Sequence, residues 1–254
     1  MDVDFGKTAS DYGAYRAGFP DALFDRLSAR GLPFAGQTVL DLATGTGTLA
    51  RGFARRGATV TGLDIATAML AEARRLAKAE GVAIDFVEGK AEATGLAGGA
   101  FDIVAAGQCW HWFDGVAAAR EAWRLLRPGG HLLIAHFDWL PLPGNQVEAT
   151  ERLIETHNPA WRFGGGNGIH AHVLTDAAIA GFTALESFSF DHPAPYSHEA
   201  WRGRIRASAG VGGSLAPAQV RAFDRAHAAM LAERFPDDPM EVPHRVFAMI
   251  GSKP

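Results

Sequence analysis

Two aspartates and two glycines carry the chemistry that this sequence shows most openly. Asp41 lies in the apolar run Val39-Leu40-Asp41-Leu42, Gly45 and Gly47 follow in Ala43-Thr44-Gly45-Thr46-Gly47, and Thr48-Leu49-Ala50 opens a helical stretch. Glycines in a strand-to-helix turn let the backbone bend tightly and bring its N–H groups close to a ligand. Asp64 closes the next apolar run, where a carboxylate can accept both hydroxyls of a ribose. The pattern asks for a nucleoside-bearing ligand. Gly45-x-Gly47-x-x-Ala50 also satisfies the dinucleotide fingerprint, so an NAD(P)-dependent reductase is one reading of these residues.

Asp41 separates the readings. A pyrophosphate lies against the helix N-terminus, and a carboxylate at the strand end beside it is repulsive. S-adenosylmethionine has no phosphate; it carries a sulfonium and an ammonium, which a carboxylate attracts. Beyond that balance, Asp41-x-x-x-Gly45-x-Gly47 resembles the first motif of class I, Rossmann-like S-adenosylmethionine-dependent methyltransferases, and Gly62-Leu63-Asp64 resembles their second. Gly89-Lys90-Ala91-Glu92 is similar to the adenine-contacting motif after the third strand. Phe101-Asp102-Ile103-Val104 through Gln108-Cys109-Trp110-His111-Trp112-Phe113 resembles the fourth, in the Gln-x-x-His-Trp-Phe form of the methyltransferase type 11 group. Leu126-Arg127-Pro128-Gly129-Gly130 resembles the turn before strand five. Two positions depart from the pattern: Ala43 replaces the usual first glycine, and Lys90 replaces an aspartate that meets the adenine amine in many members.

The resemblance implies a fold, a reaction and a site. The fold is α/β, a Rossmann-like seven-stranded mixed sheet with helices on both faces, an antiparallel last strand and an inserted helical cap. The reaction is a direct in-line displacement, in which an acceptor O, N or C attacks the sulfonium methyl and S-adenosylhomocysteine leaves. The donor set is Asp41, Gly45, Gly47, Asp64, Ile65, Met69, Ala91, Glu92 and Gln108, with Met69 packing on the adenine face. Tyr15 and Arg16 join it from the segment Asp11–Arg16, which closes over the donor and offers a guanidinium to its carboxylate. His111 is the candidate catalytic residue. A donor-binding protein without catalysis is the third class that the residues leave open.

Several other residues have a plainer reading beside a chemical one. Trp110, His111 and Trp112 serve equally as a packed aromatic cluster or as an acceptor wall, since strand C-terminal ends form the crevice of open α/β sheets; His136 shares that geography. Asp102 reads as a backbone-bonding acid at a strand start, and Cys109 as a small interior residue rather than a nucleophile. His170-Ala171-His172 lacks a third ligand at a recognised spacing, so no metal is expected. Arg202 and Arg206 share a helical face at i,i+4 spacing that either meets water or holds an acid. With Trp139, Trp161, Phe163 and Trp201 nearby in the chain, they point to a small acceptor, partly aromatic or apolar, and acidic if those arginines receive it.

The elements that must position these residues follow from apolar periodicity. Strands are expected at Thr38–Leu42, Thr59–Asp64, Ile84–Glu88, Phe101–Ala106 and His131–Phe137, with helices at Asp21–Arg30, Leu49–Arg56, Thr67–Glu80 and Val116–Arg127. Such alternation implies a parallel sheet with right-handed crossovers. After residue 138 the rhythm changes: helices at Asn145–His157, Ser197–Ala209 and Pro217–Phe235, strands at Ala184–Phe190 and His244–Ile250, and a mobile glycine-rich loop from Phe163 to Gly168. The expected organisation is a donor-binding core with its N-terminal lid over 1–138, an acceptor-side cap around strand six over 139–243, and a last strand and tail over 244–254.

Composition sets the outer bounds. The 254 residues are 48% hydrophobic and 20% charged, with a net charge of −4, which disfavours nucleic acid as partner. A single cysteine excludes an internal disulfide and any multi-cysteine metal site. The early acids in MDVDFGKTASDYGAY do not read as a secretory signal, and no apolar run reaches the ~18 residues of a membrane span. A cytoplasmic protein with no membrane partner is the expectation.

Overall fold

The short apolar runs of the first half form β1 (Thr38–Leu42), β2 (Thr59–Asp64), β3 (Ile84–Glu88) and β4 (Phe101–Gly107). The computed structural model describes Tyr15, residues 17–32 and residues 34–254. With β5 (Leu126–Trp139), β6 (Thr183–Asp191) and β9 (His244–Ser252), the four make a seven-stranded mixed sheet of order β3-β2-β1-β4-β5-β9-β6. The β3-β2, β2-β1, β1-β4 and β4-β5 pairs are parallel. Chain order reverses between β1 and β4, and that reversal opens a crevice at their C-terminal ends, where open α/β sheets bind ligands.

Four helices follow from the pattern in this part: α1 (Asp21–Ser28), α2 (Thr48–Ala54), α3 (Thr67–Ala79) and α4 (Gly115–Leu125). Asp114 caps α4 by accepting the Ala117 N–H at 3.0 Å, and α4 buries Ala118, Ala119, Ala122 and Leu125. An alanine-rich face permits close approach. The core gathers Leu40, Leu42, Val104, Ala106, Leu132 and Ile134 from β1, β4 and β5 with that helix face.

Two units divide the chain. One comprises Gly18–Phe137, Ile169–Phe190 and Val246–Pro254; the other comprises Asp138–Gly168 and Asp191–Arg245, and includes Tyr15 and Ala17. The second unit is built on α5 (Gln146–His157), α7 (His198–Arg206), α8 (Pro217–Arg234) and a small antiparallel pair, β7 (Ala194–Tyr196) with β8 (Met240–Val242). Asn145 and Ser197 cap α5 and α7 through the amides of Glu148 and Ala200.

Three expectations need correction. Strand five begins at Leu126 rather than His131, because a register shift between Phe101 and Ile103 lets Leu126 pair with Phe101. Gly129 and Gly130 bond the backbone of Lys253, which makes the expected turn part of the ladder. Helix α6 (His172–Ala180) was not foreseen between the glycine loop and β6; Gly181, at φ 102°, ends it as a left-handed C-cap. The glycine-rich loop has no regular structure, as expected, yet it is held: the Gly165 N–H donates to Glu151 at 2.8 Å and the Asn167 carbonyl accepts from Arg245 at 3.1 Å.

Candidate active site

The loop from β1 to α2 is wound in the left-handed region at Ala43 (φ 45°), Gly45 (57°) and Gly47 (80°). Glycine adopts these angles freely; alanine does so at a cost of about 1–2 kcal/mol. Ala43→Gly should therefore raise stability by ~0.5–1 kcal/mol, after glycine's greater unfolded-state entropy is set against the relieved strain. A thermal melt of the variant checks this; an unchanged or lower Tm counts against strain at Ala43. Gly62 in β2 serves the same loop differently. A Cβ there would lie 2.9 Å from the Phe86 ring and 3.0 Å from the Thr44 methyl, so its absence lets the loop settle on the strand.

Asp41 is the central group. Its Oδ2 accepts the Thr44 hydroxyl at 2.6 Å, while Oδ1 is sealed in and takes no hydrogen bond of normal geometry from any described residue. Burial is the chief reason that its pKa is pushed up to about 7; Thr44 and the Ala50 amide pull it down, and Asp64 adds a smaller push upward. Asp64 ends β2, accepting the Gly45 N–H on Oδ2 and the Ala66 N–H on Oδ1, both at 2.8 Å. Burial raises its pKa as well, against those amides and that of Ile65. Two carboxylates kept from ionising easily beside glycine amides make a site that gains from a cation.

The other members of the expected donor set come from several elements. Ile65, next to Asp64, exposes 61% of its surface, an apolar platform at a strand end. Met69 and Ala91 are buried, and Glu92 accepts the Asp114 N–H at 3.3 Å. Gln108 ends β4 in a left-handed conformation (φ 63°), its amide N–H bonded to the Ala135 carbonyl and its side-chain amide to the Phe137 carbonyl. Tyr15 belongs to the second unit, where its ring covers Gly203. Arg16 and the rest of Asp11–Ala14 lie outside the described residues.

At the end of β4 a 3-10 turn, Trp110–Trp112, divides the aromatic signature. Trp110 is a core residue: it is buried and its indole N–H donates to Asp176 at 2.9 Å. His111 and Trp112 are exposed, with rings 4.6 Å apart, and His111 stands 6.2 Å from His136. His136 in turn stacks on His170 at 3.6 Å with 14° between the planes. The sequence groups His136 with His111 at strand ends but leaves His170 apart, because nothing in a run of residues reports that the segment before α6 returns to β5.

The methyltransferase-domain family matches residues 40–134, the stretch that holds the loop, both acids and the aromatic turn. Residues 40–134 are similar to that family's methyltransferase domain. The malonyl-[acyl-carrier protein] O-methyltransferase of Enterobacter lignolyticus is 39% identical over 163 residues, 63% of this chain and 61% of that protein. A putative type II methyltransferase from Anaeromyxobacter dehalogenans shares the fold with a TM-score of 0.62 at 21% identity, covering 94% of this chain and 97% of its own. Phosphoethanolamine N-methyltransferase 2 of Haemonchus contortus, solved with phosphomonomethylethanolamine and S-adenosylhomocysteine, gives 0.59 at 20%, covering 99% and 60%. The chain spans about half the length of the first curated relatives that it matches.

Within that matched stretch the plainer readings of Asp102 and Cys109 are what the structure shows. Asp102 accepts from the Thr38 amide and hydroxyl and pairs with Arg127 at 2.6 Å, so it fastens β4 to β1 and β5. Cys109 is buried, its thiol donating to the Leu42 carbonyl at 3.4 Å. Outside that domain, the idea that Arg202 and Arg206 await an acidic acceptor is overturned. Asp224 takes Arg202 at 2.5 Å and Arg206 at 2.8 Å, and Glu199 takes both arginines as well. Despite burial, which raises it, the Asp224 carboxyl is held below its usual range by those guanidiniums. The two arginines tie α7 to α8.

Proposed function

We propose that this chain transfers a methyl group from S-adenosylmethionine to a small-molecule acceptor by direct displacement. The observation that carries the reading is Asp41, buried with an oxygen that no described residue satisfies, at the head of the loop whose Gly45 amide bonds Asp64. That environment repels a pyrophosphate and gains from an ammonium or sulfonium. When bound, the donor supplies an electrophilic methyl group, and S-adenosylhomocysteine is the product bound by the Haemonchus neighbour. Asp64 keeps lone pairs free beyond its two amide bonds and would receive ribose hydroxyls; Ile65, Met69 and Ala91 offer an apolar bed for the base. The protein's share of catalysis is positioning and exclusion of water, worth up to ~7–11 kcal/mol when geometry is right.

His111 faces solvent in the turn after β4, and in this reading it meets the acceptor and takes up its proton. His111→Ala should lower kcat ten- to a hundredfold or more and leave the donor Kd within about twofold. Titration calorimetry with S-adenosylmethionine, S-adenosylhomocysteine and NADH tests the donor; a preference for NADH would refute the reading. A His111→Ala protein with full turnover on its acceptor would leave that residue a bystander. The acceptor being small rests on the enzymes named above, while cytoplasmic location and lack of nucleic acid rest on composition and charge. Among the described residues no helix is long and apolar enough to cross a membrane.

A further inference from the structure

Arg204 stands on α7 between two arginines that hold carboxylates, and holds none. Two residues along a helix turn the side chain by about 200°, so Arg204 points away from Arg202, Arg206 and Asp224. Its guanidinium lies 4.8 Å over the Trp139 ring. It shares a hydrogen bond with Tyr196, whose hydroxyl also accepts the Ala17 N–H at 3.0 Å. The ring beneath it is fixed: Trp139 donates to Glu151 at 2.8 Å and meets Trp201 edge-on at 5.5 Å. Protein hems in the guanidinium on most sides, and this burial lowers its pKa, yet solvent still reaches the residue. Asp138 acts on it only through space, and among the described residues no carboxylate makes an ion pair with it.

A partly desolvated guanidinium that, among the described residues, bonds only Tyr196 is costly to keep, and the cost falls when an acid arrives. We propose that Arg204 is the anchor for a carboxylate on a small-molecule ligand, received bidentately with Trp139 flanking the acid and Tyr196 steadying the guanidinium. This anion site stands on its own residues and does not depend on the methyl-transfer reading. A carboxylate suits it better than a phosphate, because Asp138 already contributes one negative charge nearby and would oppose a dianion.

The test uses the whole chain with saturating S-adenosylhomocysteine, titrated calorimetrically with phenylacetate, phenylacetamide and phenylphosphonate. Phenylacetate should bind at least tenfold more tightly than the amide, and Arg204→Met should erase that preference while leaving the S-adenosylhomocysteine Kd within twofold. Without ligands, Arg204→Met should melt at a higher temperature than the wild type, whereas Arg202→Met should melt lower. Equal binding of acid and amide, or no binding of either, overturns the proposal. So does a tenfold weaker S-adenosylhomocysteine Kd in Arg204→Met, which would hand the arginine to the donor. Tightest binding of phenylphosphonate refutes the carboxylate, and a drop in Tm for Arg204→Met matching Arg202→Met makes Arg204 structural. Failure of the wild type to bind S-adenosylhomocysteine would sink the methyl-transfer reading instead; the acid-against-amide comparison, repeated without it, still decides the anion site.

Discussion

Affinity for S-adenosylmethionine should rise about fifty-fold between pH 5 and pH 7 and level off above pH 8. The cause is Asp41, whose carboxyl, with a pKa of about 7, is largely protonated at acid pH. A cationic ligand binds the ionised form, so below that pKa each unit of pH costs roughly tenfold in affinity. Asp64, raised in the same direction by burial, steepens the profile at its acid end. At pH 6 binding should expel close to one proton, visible as a heat that varies with the ionisation enthalpy of the buffer. Asp41→Asn keeps the shape and removes the charge. It should bind at least tenfold more weakly at pH 8 and show a flatter pH profile. A wild-type affinity independent of pH, or an Asp41→Asn protein that retains the full dependence, would remove Asp41 from donor recognition.

The same carboxyl acts on stability with the opposite sign to a salt-bridged acid. Its folded pKa lies above the unfolded value of about 3.9, so the folded state holds the proton longer. The stabilising contribution is complete below the unfolded pKa and is lost as pH rises through about 7. The ligand-free protein thus keeps an unfavourable charge at neutral pH at the place where the proposed cationic donor would relieve it.

Most of the sheet unit is legible in the sequence because its signals are local. Each strand is a short apolar run, α2 starts after Gly47 and α4 after its capping Asp114, and the Asp41 and Asp64 spacings follow from one strand–helix–strand unit. What the sequence hides is set by contacts between distant segments. Arg202, Arg204 and Arg206 look alike in Arg202-Gly203-Arg204-Ile205-Arg206, and only Asp224 on α8 and Trp139 on β5 make them different. Trp110 and Trp112 flank His111 symmetrically, and Asp176 on α6 draws one of them into the core. The early start of β5 depends on pairing with Phe101 and Lys253, which no propensity reports.

Acid should loosen the α5–α7–α8 region well before pH 4, and two buried histidines say why. Thr150 donates its hydroxyl proton to the Gln146 carbonyl at 2.7 Å and accepts the Trp201 N–H at 3.1 Å. Its oxygen therefore meets His227 Nε2, at 3.0 Å, as an acceptor, which places the proton of neutral His227 on Nε2. Nδ1 is buried with no partner among the described residues, which offer no acceptor for a second proton there. Burial first, then Arg202, Arg206 and His198 against the pull of Asp224, brings its pKa down to about 3. His244, with Nδ1 2.8 Å from the Val242 carbonyl, is lowered to about 4 mainly by burial, with Arg204 and His192 working against Val242 and Asp138. The folded pKa of each lies below the unfolded value of about 6.5, so the unfolded chain takes up protons first. Stability is unaffected above that value and falls as pH drops from ~6.5 towards about 4 and about 3, by roughly 2 kcal/mol per histidine at pH 5. Together they exceed the ~2–3 kcal/mol that Asp41 returns over the same range. Hydrogen exchange at pH 5 should show the amides of α5, α7 and α8 losing protection while those of β1 hold. His227→Gln, which keeps an N–H for Thr150 and does not titrate, should lose about half of the acid sensitivity. Uniform loss of protection across both units, or a His227→Gln protein as acid-labile as the wild type, would move the cause elsewhere.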